Sequence, residues 1–154
     1  MTREYRTFRN DIALPYKWSL GEAWTSFFQG LEENKIMGSK CPQCKMIYVP
    51  VGKYCPKCYR ETKEIAEVSQ EGKIISWTIM TKKYPGQTKE APYLIALIQL
   101  DGTSNYLCHH VGEIDLSEVK AVNEMVKIGS RVRAVWNSKK EGTIFDISHF
   151  KIVK

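Results

Sequence analysis

From about Glu64 onward, apolar and polar residues alternate with the period of two that is typical of half-buried β-strands. Five such stretches follow one another, separated by turn-forming residues: GKIISWTIMTKK (72–83), YLIALIQLDG (93–102), NYLCHHVG (105–112), SRVRAVWNS (130–138) and IFDISHFKIV (144–153). Five strands favour a small closed barrel of the OB type over a sandwich, which usually needs seven or more. A short helix is predicted at 115–120 (DLSEVK), between the third and fourth strands.

The stretch SLGEAWTSFFQGLEENK (19–35) has the period of an amphipathic helix. A Ser-x-x-Glu capping box at Ser19 and Glu22 predicts where this helix begins. Residues 1–38 hold seven of the seventeen aromatic residues in the chain. The apolar face could pack on the chain's own core, which is the usual arrangement. Alternatively, because a small neighbouring module offers little core, part of this aromatic arm docks on a partner protein.

Between the arm and the strands lies CPQCKMIYVPVGKYCPKC (41–58), with two Cys-Pro-x-Cys pairs. Each pair closes a tight turn, so Cys41, Cys44, Cys55 and Cys58 can supply four sulfurs to a tetrahedral ion. The ten residues between the pairs (KMIYVPVGKY) are consistent with a short hairpin. Zinc is the expected metal; such a site can also hold iron, and a redox dithiol or disulfide is the alternative. Four protein ligands leave no position for substrate, so the predicted zinc is structural.

These patterns predict a mainly β protein with a helical N-terminal arm (1–38), a four-cysteine zinc ribbon (39–63) and a five-stranded OB-fold barrel (64–154). No apolar run approaches the roughly 20 residues that span a bilayer, so no membrane association is expected. Paired cysteines in a chain without a leading apolar segment predict a cytoplasmic protein, because cytoplasmic thiols stay reduced.

The formal charge of +6 raises nucleic acid as a partner. Binding of zinc by four thiolates lowers this charge to +4, and five of the six excess positive charges lie in residues 1–60, so the excess is local and modest. Both points weaken that inference. The alternative function is nevertheless a single-stranded nucleic-acid-binding protein, since exposed aromatics on an OB barrel can stack bases. The candidates for stacking are Trp77, Tyr84, Tyr93, Tyr106 and Trp136, although Trp77 and Trp136 lie in apolar strand contexts that favour core packing.

Few sequence patterns indicate a catalytic site. The one candidate is Cys108-His109-His110, and a strand would place Cys108 and His110 on one face. A buried strand cysteine beside a polar face is the preferred interpretation; an independent enzyme that uses Cys108 is the third hypothesis. There is no Gly-x-Ser-x-Gly elbow and no Gly-rich phosphate loop. The longest break between strands, KKYPGQTKEAP (82–92), is the best candidate for a ligand-contacting loop.

In this order, the aromatic arm, the ribbon KCPQCKMIYVPVGKYCPKC and the barrel with GKIISWTIM, PYLIALIQLDG and IGSRVRAVW resemble the DUF35 family of OB-fold, acyl-CoA-associated proteins. The resemblance extends from about Trp18 to Lys154. Many members carry a Gly after the second cysteine of a pair, where this chain has Lys45.

The resemblance implies a non-catalytic subunit of a thiolase-fold enzyme complex, whose partner supplies the catalytic residues. The arm and ribbon would contact the thiolase-fold subunit, and the barrel would help accommodate acyl-CoA near the shared interface. The residues expected to contact the partner are Trp24, Phe27 and Phe28. Those expected to contact CoA phosphates are Lys82, Lys83 and Lys89.

Overall fold

The computed structural model describes residues 16–84, 87 and 89–153. In chain order the elements are α1 (Gly21–Glu32), β1 (Ile36–Lys40), β2 (Ile47–Tyr48), β3 (Glu64–Val68), β4 (Glu71–Met80), β5 (Tyr93–Leu100), β6 (Leu107–Val111), α2 (Val119–Met125), β7 (Arg131–Trp136), a 3-10 turn (Ile144–Asp146) and β8 (Ile147–Ile152). The predicted fold class is confirmed: a mainly β chain with one N-terminal helix, a four-cysteine ribbon and an OB-fold barrel. Within the described residues, no helix is long and apolar enough to cross a membrane.

Five strands close the barrel in the order β4-β5-β6-β8-β7. All neighbours are antiparallel except β6 and β8, which run parallel and meet in register only at Val111 and Phe150. The interior is apolar because every second residue of the strands points inward; Ile74, Ile98 and Phe150 are all fully buried. Apolar side chains therefore fill the inside of the barrel.

Two predicted elements of the barrel are shifted. The helix expected at 115–120 is α2, which begins at Val119. The segment predicted as the first turn of this helix is not helical. There, Asp115 Oδ1 accepts a hydrogen bond from the Ser117 N–H at 2.9 Å. This local bond competes with helix formation. The last predicted strand begins with the 3-10 turn, and β8 starts only at Ile147.

The ribbon is a three-stranded sheet in the order β2-β1-β3, with β1 pairing both neighbours. The prediction of a hairpin between the two cysteine pairs is wrong. Instead, β2 pairs with β1 around the first cysteine pair, and an isolated bridge between Tyr54 and Glu61 encloses the second pair. The sheet spans residues 36–68. The predicted ribbon bounds of 39 and 63 would divide β1 and would assign β3 to the barrel.

Helix α1 also begins later than its capping box predicts. Leu20 is the N-cap residue and makes no side-chain capping bond. Gly21 has a φ of +66°, a left-handed conformation that separates Ser19 from the helix. Among the described residues, the Ser19 hydroxyl accepts a hydrogen bond only from the Gly21 N–H, at 3.3 Å. The helix is held by its buried residues Phe27 and Leu31, which are 1% and 0% exposed.

Ribbon and barrel are joined through the β5–β6 turn. The Asn105 side chain forms two hydrogen bonds with the Val49 backbone, accepting from N–H at 2.9 Å and donating to C=O at 2.6 Å. The Ser104 N–H donates to the Ile47 carbonyl at 2.7 Å. One apolar cluster runs from the helix and ribbon into the barrel. The two modules therefore share a continuous, hydrogen-bonded junction.

Candidate metal centre and the surfaces around it

The four predicted ligand cysteines converge. The Sγ atoms of Cys41, Cys44, Cys55 and Cys58 all lie within 4.8 Å of one another. Cys41 and Cys58 are 3.3 Å apart at sulfur, and Cys44 and Cys55 are 3.6 Å apart. Sulfurs that converge from two separate pairs are arranged to surround one ion.

Each cysteine pair lies in a turn with the same backbone hydrogen bonds. In the first turn, the Cys41 N–H donates to the Met46 carbonyl at 2.9 Å, and the Lys45 N–H donates to the Cys41 carbonyl at 3.0 Å. The second turn repeats both bonds, from Cys55 N–H to the Arg60 carbonyl at 2.8 Å and from Tyr59 N–H to the Cys55 carbonyl at 2.9 Å. The site is thus built from two equivalent half-sites.

The residue after the second cysteine adopts a left-handed backbone in both turns. Lys45 has a φ of 60° and Tyr59 a φ of 58°. This conformation favours glycine, because a Cβ crowds the neighbouring carbonyl there. Two non-glycine residues are therefore held at strained positions by the turn geometry.

The surroundings of Cys55 favour its thiolate. Burial acts to raise the pKa of this thiol, but hydrogen bonds from the N–H groups of Cys58 and Lys57 outweigh it and lower the pKa to about 6. The Lys57 nitrogen lies 3.4 Å from Cys55 Sγ. Tyr48 Oη lies 3.8 Å from the same sulfur, and burial raises the pKa of Tyr48 to about 12, so its hydroxyl stays protonated.

Four clustered sulfurs, with N–H donors directed at them, fit a tetrahedral thiophilic metal ion. Cys41 and Cys55 are fully buried, whereas Cys44 and Cys58 are half-buried. Because the four thiolates fill a tetrahedral shell, such an ion would have no position left for a reacting molecule.

Beside the ribbon, the arm exposes a group of large apolar side chains that we call the arm patch: Tyr16, Trp18, Leu20, Trp24 and Phe28. The first four are 72%, 72%, 43% and 44% exposed, and Phe28 is half-buried. Four of the five, all but Tyr16, line one cavity of about 290 Å³. A groove of about 620 Å³ continues from Leu20 and Trp24 along the ribbon.

Phe27 does not belong to this surface. It is 1% exposed and packs inside the chain's own core, because it lies on the inner side of α1 with Leu31. The expectation that Phe27 contacts a partner is therefore wrong, while Trp24 and Phe28 keep accessible surface.

The three lysines of the predicted ligand loop have different surroundings. Lys82 and Lys83 are exposed, and Lys83 forms an ion pair with Glu90. Lys89 Nζ lies 5.9 Å from the centre of the Tyr93 ring, and partial burial lowers the pKa of Lys89. Pro85, Gly86 and Thr88 of the same loop lie outside the described residues.

The candidates for base stacking are reduced by the structure. Tyr93 is 5% exposed, and Trp77 and Trp136 pack partly buried against the core. The indole N–H of Trp136 also donates to Gln70 Oε1 at 2.8 Å. Among the five, only Tyr84 and Tyr106 keep half or more of their surface exposed, at 56% and 50%.

The prediction that Cys108 is buried and that its neighbours form a polar face is wrong. Cys108 is exposed, and His109 is the buried member of the group at 6%. The sequence contains a pattern that indicates this burial. His109 shares its strand face with Leu107 and Val111, which are both apolar and both buried.

Comparisons with known proteins agree with this architecture. Residues 28–64 match the family model described as ChsH2, rubredoxin-like zinc ribbon domain, and residues 66–137 match ChsH2, C-terminal OB-fold domain. A DUF35 domain-containing scaffold protein of Methanocaldococcus jannaschii is 33% identical over 107 residues, which cover 69% of this chain and 70% of that protein. A protein of the same description from Pyrococcus furiosus is 28% identical over 102 residues, covering 66% and 74%.

Two solved structures are also similar. A DUF35-family protein of unknown function from Sulfolobus solfataricus superposes with a TM-score of 0.63 at 28% identity, over 86% of this chain and 87% of that one. A chain of the Ltp2-ChsH2(DUF35) aldolase superposes with a TM-score of 0.64 at 20% identity, over 88% and 98%. At that identity the second likeness shows a shared fold.

Proposed function

The chain belongs to the DUF35 family, and from this premise we propose that it is a non-catalytic scaffold subunit of a heteromeric thiolase-fold complex acting on acyl-CoA thioesters. The single observation that carries the proposal is the arm patch, an exposed aromatic surface placed directly beside a rigid, metal-binding ribbon. In this proposal the complex is cytoplasmic, where the four thiols stay reduced for the metal.

The arm patch has the composition of a protein interface. Its members are aromatic or aliphatic, and tryptophan is enriched among the residues that dominate binding energies. Trp24 and Phe28 lie with ring centres 5.7 Å apart, above the buried Phe27, so the helix presents them on a fixed base. A partner segment that enters the neighbouring groove would cover Leu20 and Trp24 together.

The metal in this proposal is structural Zn²⁺. Thiolates bind zinc well, and the repeated turn geometry preorganises both halves of the site. Iron is distinguished by metal analysis of protein purified without added metal: zinc near one equivalent per chain supports the proposal, and iron with a visible absorption band contradicts it.

Lys82, Lys83 and Lys89 are the proposed contacts for CoA phosphates. Lys83 is paired with Glu90, but both side chains are exposed, and such pairs contribute little. Lys83 can therefore exchange Glu90 for a phosphate, and it stays in the proposed set. In the proposed complex, bond making is carried out by the partner subunit's residues.

The proposal is tested by producing the chain together with thiolase-fold proteins encoded in the same genome and purifying it through a tag on the chain. We expect one of them to co-purify in a fixed ratio. The double variant Trp24→Ala/Phe28→Ala should lose that partner while it keeps its metal. Tyr106→Ala is the matched control, since Tyr106 is a similarly exposed aromatic on the barrel, and it should keep the partner. Absence of any thiolase-fold partner contradicts the proposal.

The same preparations distinguish the nucleic-acid alternative. Phosphate-driven binding weakens steeply with salt. A labelled single-stranded oligonucleotide that is bound at low salt, released at high salt, and lost in a Tyr84→Ala/Tyr106→Ala variant would support the alternative. No shift at low salt removes it.

A further inference from the structure

The two cysteine turns of the ribbon carry basic side chains and no acidic ones. Residues 41–60 contain four basic residues and no acidic residue, and all four side chains are exposed: Lys45, Lys53, Lys57 and Arg60. None of the four forms an ion pair with a carboxylate of the described residues. Tyr59, which lies between Lys57 and Arg60 in the chain, is 81% exposed. We call these five residues the knuckle surface.

The basic residues of the neighbouring sheet differ, because each of them has a carboxylate partner. Lys40 pairs with Glu64 at 3.0 Å, and Lys63 pairs with Glu61 at 3.7 Å. These two glutamates are the only acidic residues in 40–64. The uncompensated positive charge of the ribbon is therefore concentrated at the knuckle surface.

The two turns lie side by side and form one surface. Arg60 Nε donates to Gln43 Oε1 at 3.2 Å, which links the second turn to the first. Lys53 in turn lines the groove of about 620 Å³ together with Leu20 and Trp24 of the arm patch. The knuckle surface therefore borders the groove that the proposed partner would enter.

A bound metal would reduce this charge without cancelling it. Four thiolates and one divalent ion together carry a charge of about −2, against the four basic side chains. Cys41 and Cys55 are fully buried, whereas the basic side chains are exposed. The knuckle surface therefore presents a net charge of about +2 to an approaching molecule.

This charge restricts the chemistry of a partner. Two knuckle surfaces would repel each other, so a second copy of the chain does not fit there. A nucleic-acid strand is held mainly through the number of phosphates that are neutralised, and a net charge of about +2 neutralises few of them. A protein surface rich in aspartate and glutamate needs only to be guided, because the adjacent arm patch supplies apolar contacts.

From these observations we infer that the knuckle surface binds an acidic surface on the same partner that covers the arm patch, and that it guides the approach of this partner. The inference rests on the proposed scaffold function. Exposed charges act mainly on the rate of association, whereas buried contacts act mainly on the rate of dissociation. The knuckle surface should therefore set how fast the complex forms, and the arm patch how long it lasts.

A decaglutamate peptide tests the knuckle surface without any partner protein. The peptide is titrated at low salt into the metal-loaded full chain, and binding is followed by NMR shifts of the backbone amides. We expect the shifts to centre on residues 43–45 and 57–60 and to disappear at high salt, because salt screens exposed charges. Shifts centred elsewhere, or tighter binding of decathymidylate at the same amides, would overturn the inference.

Two double variants with the same change in net charge locate the effect. Lys57→Glu/Arg60→Glu reverses charges of the knuckle surface, and Lys127→Glu/Lys139→Glu reverses two exposed lysines of the barrel. Both are measured with the thiolase-fold protein that co-purifies with the chain. We expect the first variant to lower the association rate constant about tenfold at low salt and to leave the dissociation rate constant unchanged. The second variant should associate as fast as the unmodified chain.

Equal association rates for the two variants, or an association rate constant of the unmodified chain that does not fall as salt is raised, would contradict the inference. Metal content is measured in both variants, and if the first one loses its metal, the salt dependence of the unmodified chain decides alone. If no thiolase-fold protein co-purifies, the scaffold function fails, while the peptide titration still decides whether the knuckle surface recognises carboxylates.

Discussion

The ribbon sheet has three strands, one of them only two residues long, whereas the barrel closes five strands of five to ten residues. In the ribbon, the fully buried side chains include the ligands Cys41 and Cys55; in the barrel they are aliphatic and aromatic, as at Ile74, Ile98 and Phe150. A very small module buries too little apolar surface to be stable without a bound metal or a disulfide. The two modules should therefore respond to different perturbations, and the predictions below test that difference.

Removal of the metal should have the largest effect, and it should be confined mainly to the ribbon. Structural zinc contributes on the order of 10 kcal/mol in isolated zinc peptides. We expect chelation, or Cys58→Ser, to remove the hydrogen-exchange protection of β1 while that of β5 persists. Cys108→Ser is the matched control, because Cys108 lies outside the cluster and its loss should leave both modules protected. Exchange of β5 in step with β1 would show that the barrel depends on the metal too.

A cavity in the barrel core should give the opposite result. Ile98 is fully buried, so Ile98→Ala should lower the free energy of unfolding by about 2–5 kcal/mol, measured by urea denaturation. Leu97, its neighbour on the outer face, is 39% exposed, and Leu97→Ala should cost only about 0.5 kcal/mol. Metal content should be unchanged in both variants. Loss of the metal in Ile98→Ala would contradict the separation of the modules.

The junction should have an intermediate effect. Asn105→Ala leaves the Val49 N–H and C=O without their partners, which should cost about 2 kcal/mol. We expect the ribbon and barrel of this variant to unfold at separate urea concentrations when each is followed by NMR. Gln99→Ala removes an amide that donates to the Thr103 carbonyl within the barrel, so it should preserve a single transition.

The smallest expected effect concerns the left-handed turn positions. Lys45→Gly should stabilise the metal-loaded ribbon by about 0.5–1 kcal/mol, because glycine relieves the Cβ clash at a φ of 60°. Competition with a chelator of known affinity measures the gain as tighter metal retention. Lys57→Gly, in the other cysteine turn but at a position without positive φ, should weaken retention. Equal effects of the two glycines would contradict a conformational cause.

Much of this architecture could be predicted because its signals are local. Alternation along the five barrel strands and the spacing of the two cysteine pairs each depend on neighbours in the sequence. The starts of the two helices were predicted wrongly because each local pattern is compatible with two structures. The Asp115 side chain could cap a turn or enter a helix, and the Ser19 box was separated from its helix by the left-handed backbone of Gly21.

The remaining features depend on residues far apart in the chain. Asn105 recognises Val49 across 56 positions, and β3 returns to the ribbon sheet after both cysteine turns. The contact between His109 Nε2 and the Ile144 carbonyl depends on the position of Ile144, which only the closed barrel defines. Periodicity can assign His109 to the inner face, but it contains no information on which backbone group its ring meets there.

The parallel pairing of β6 with β8 has a consequence for the order of events on the ribosome. All four cysteines precede β4, so a nascent chain can collect its metal before any barrel strand has emerged from the ribosome. The barrel, in contrast, cannot close until its final strand emerges, seconds later at a synthesis rate of about 5–20 residues per second. During that interval the β6 edge stays open to solvent. The nascent chain is then most vulnerable to unwanted strand addition at this edge.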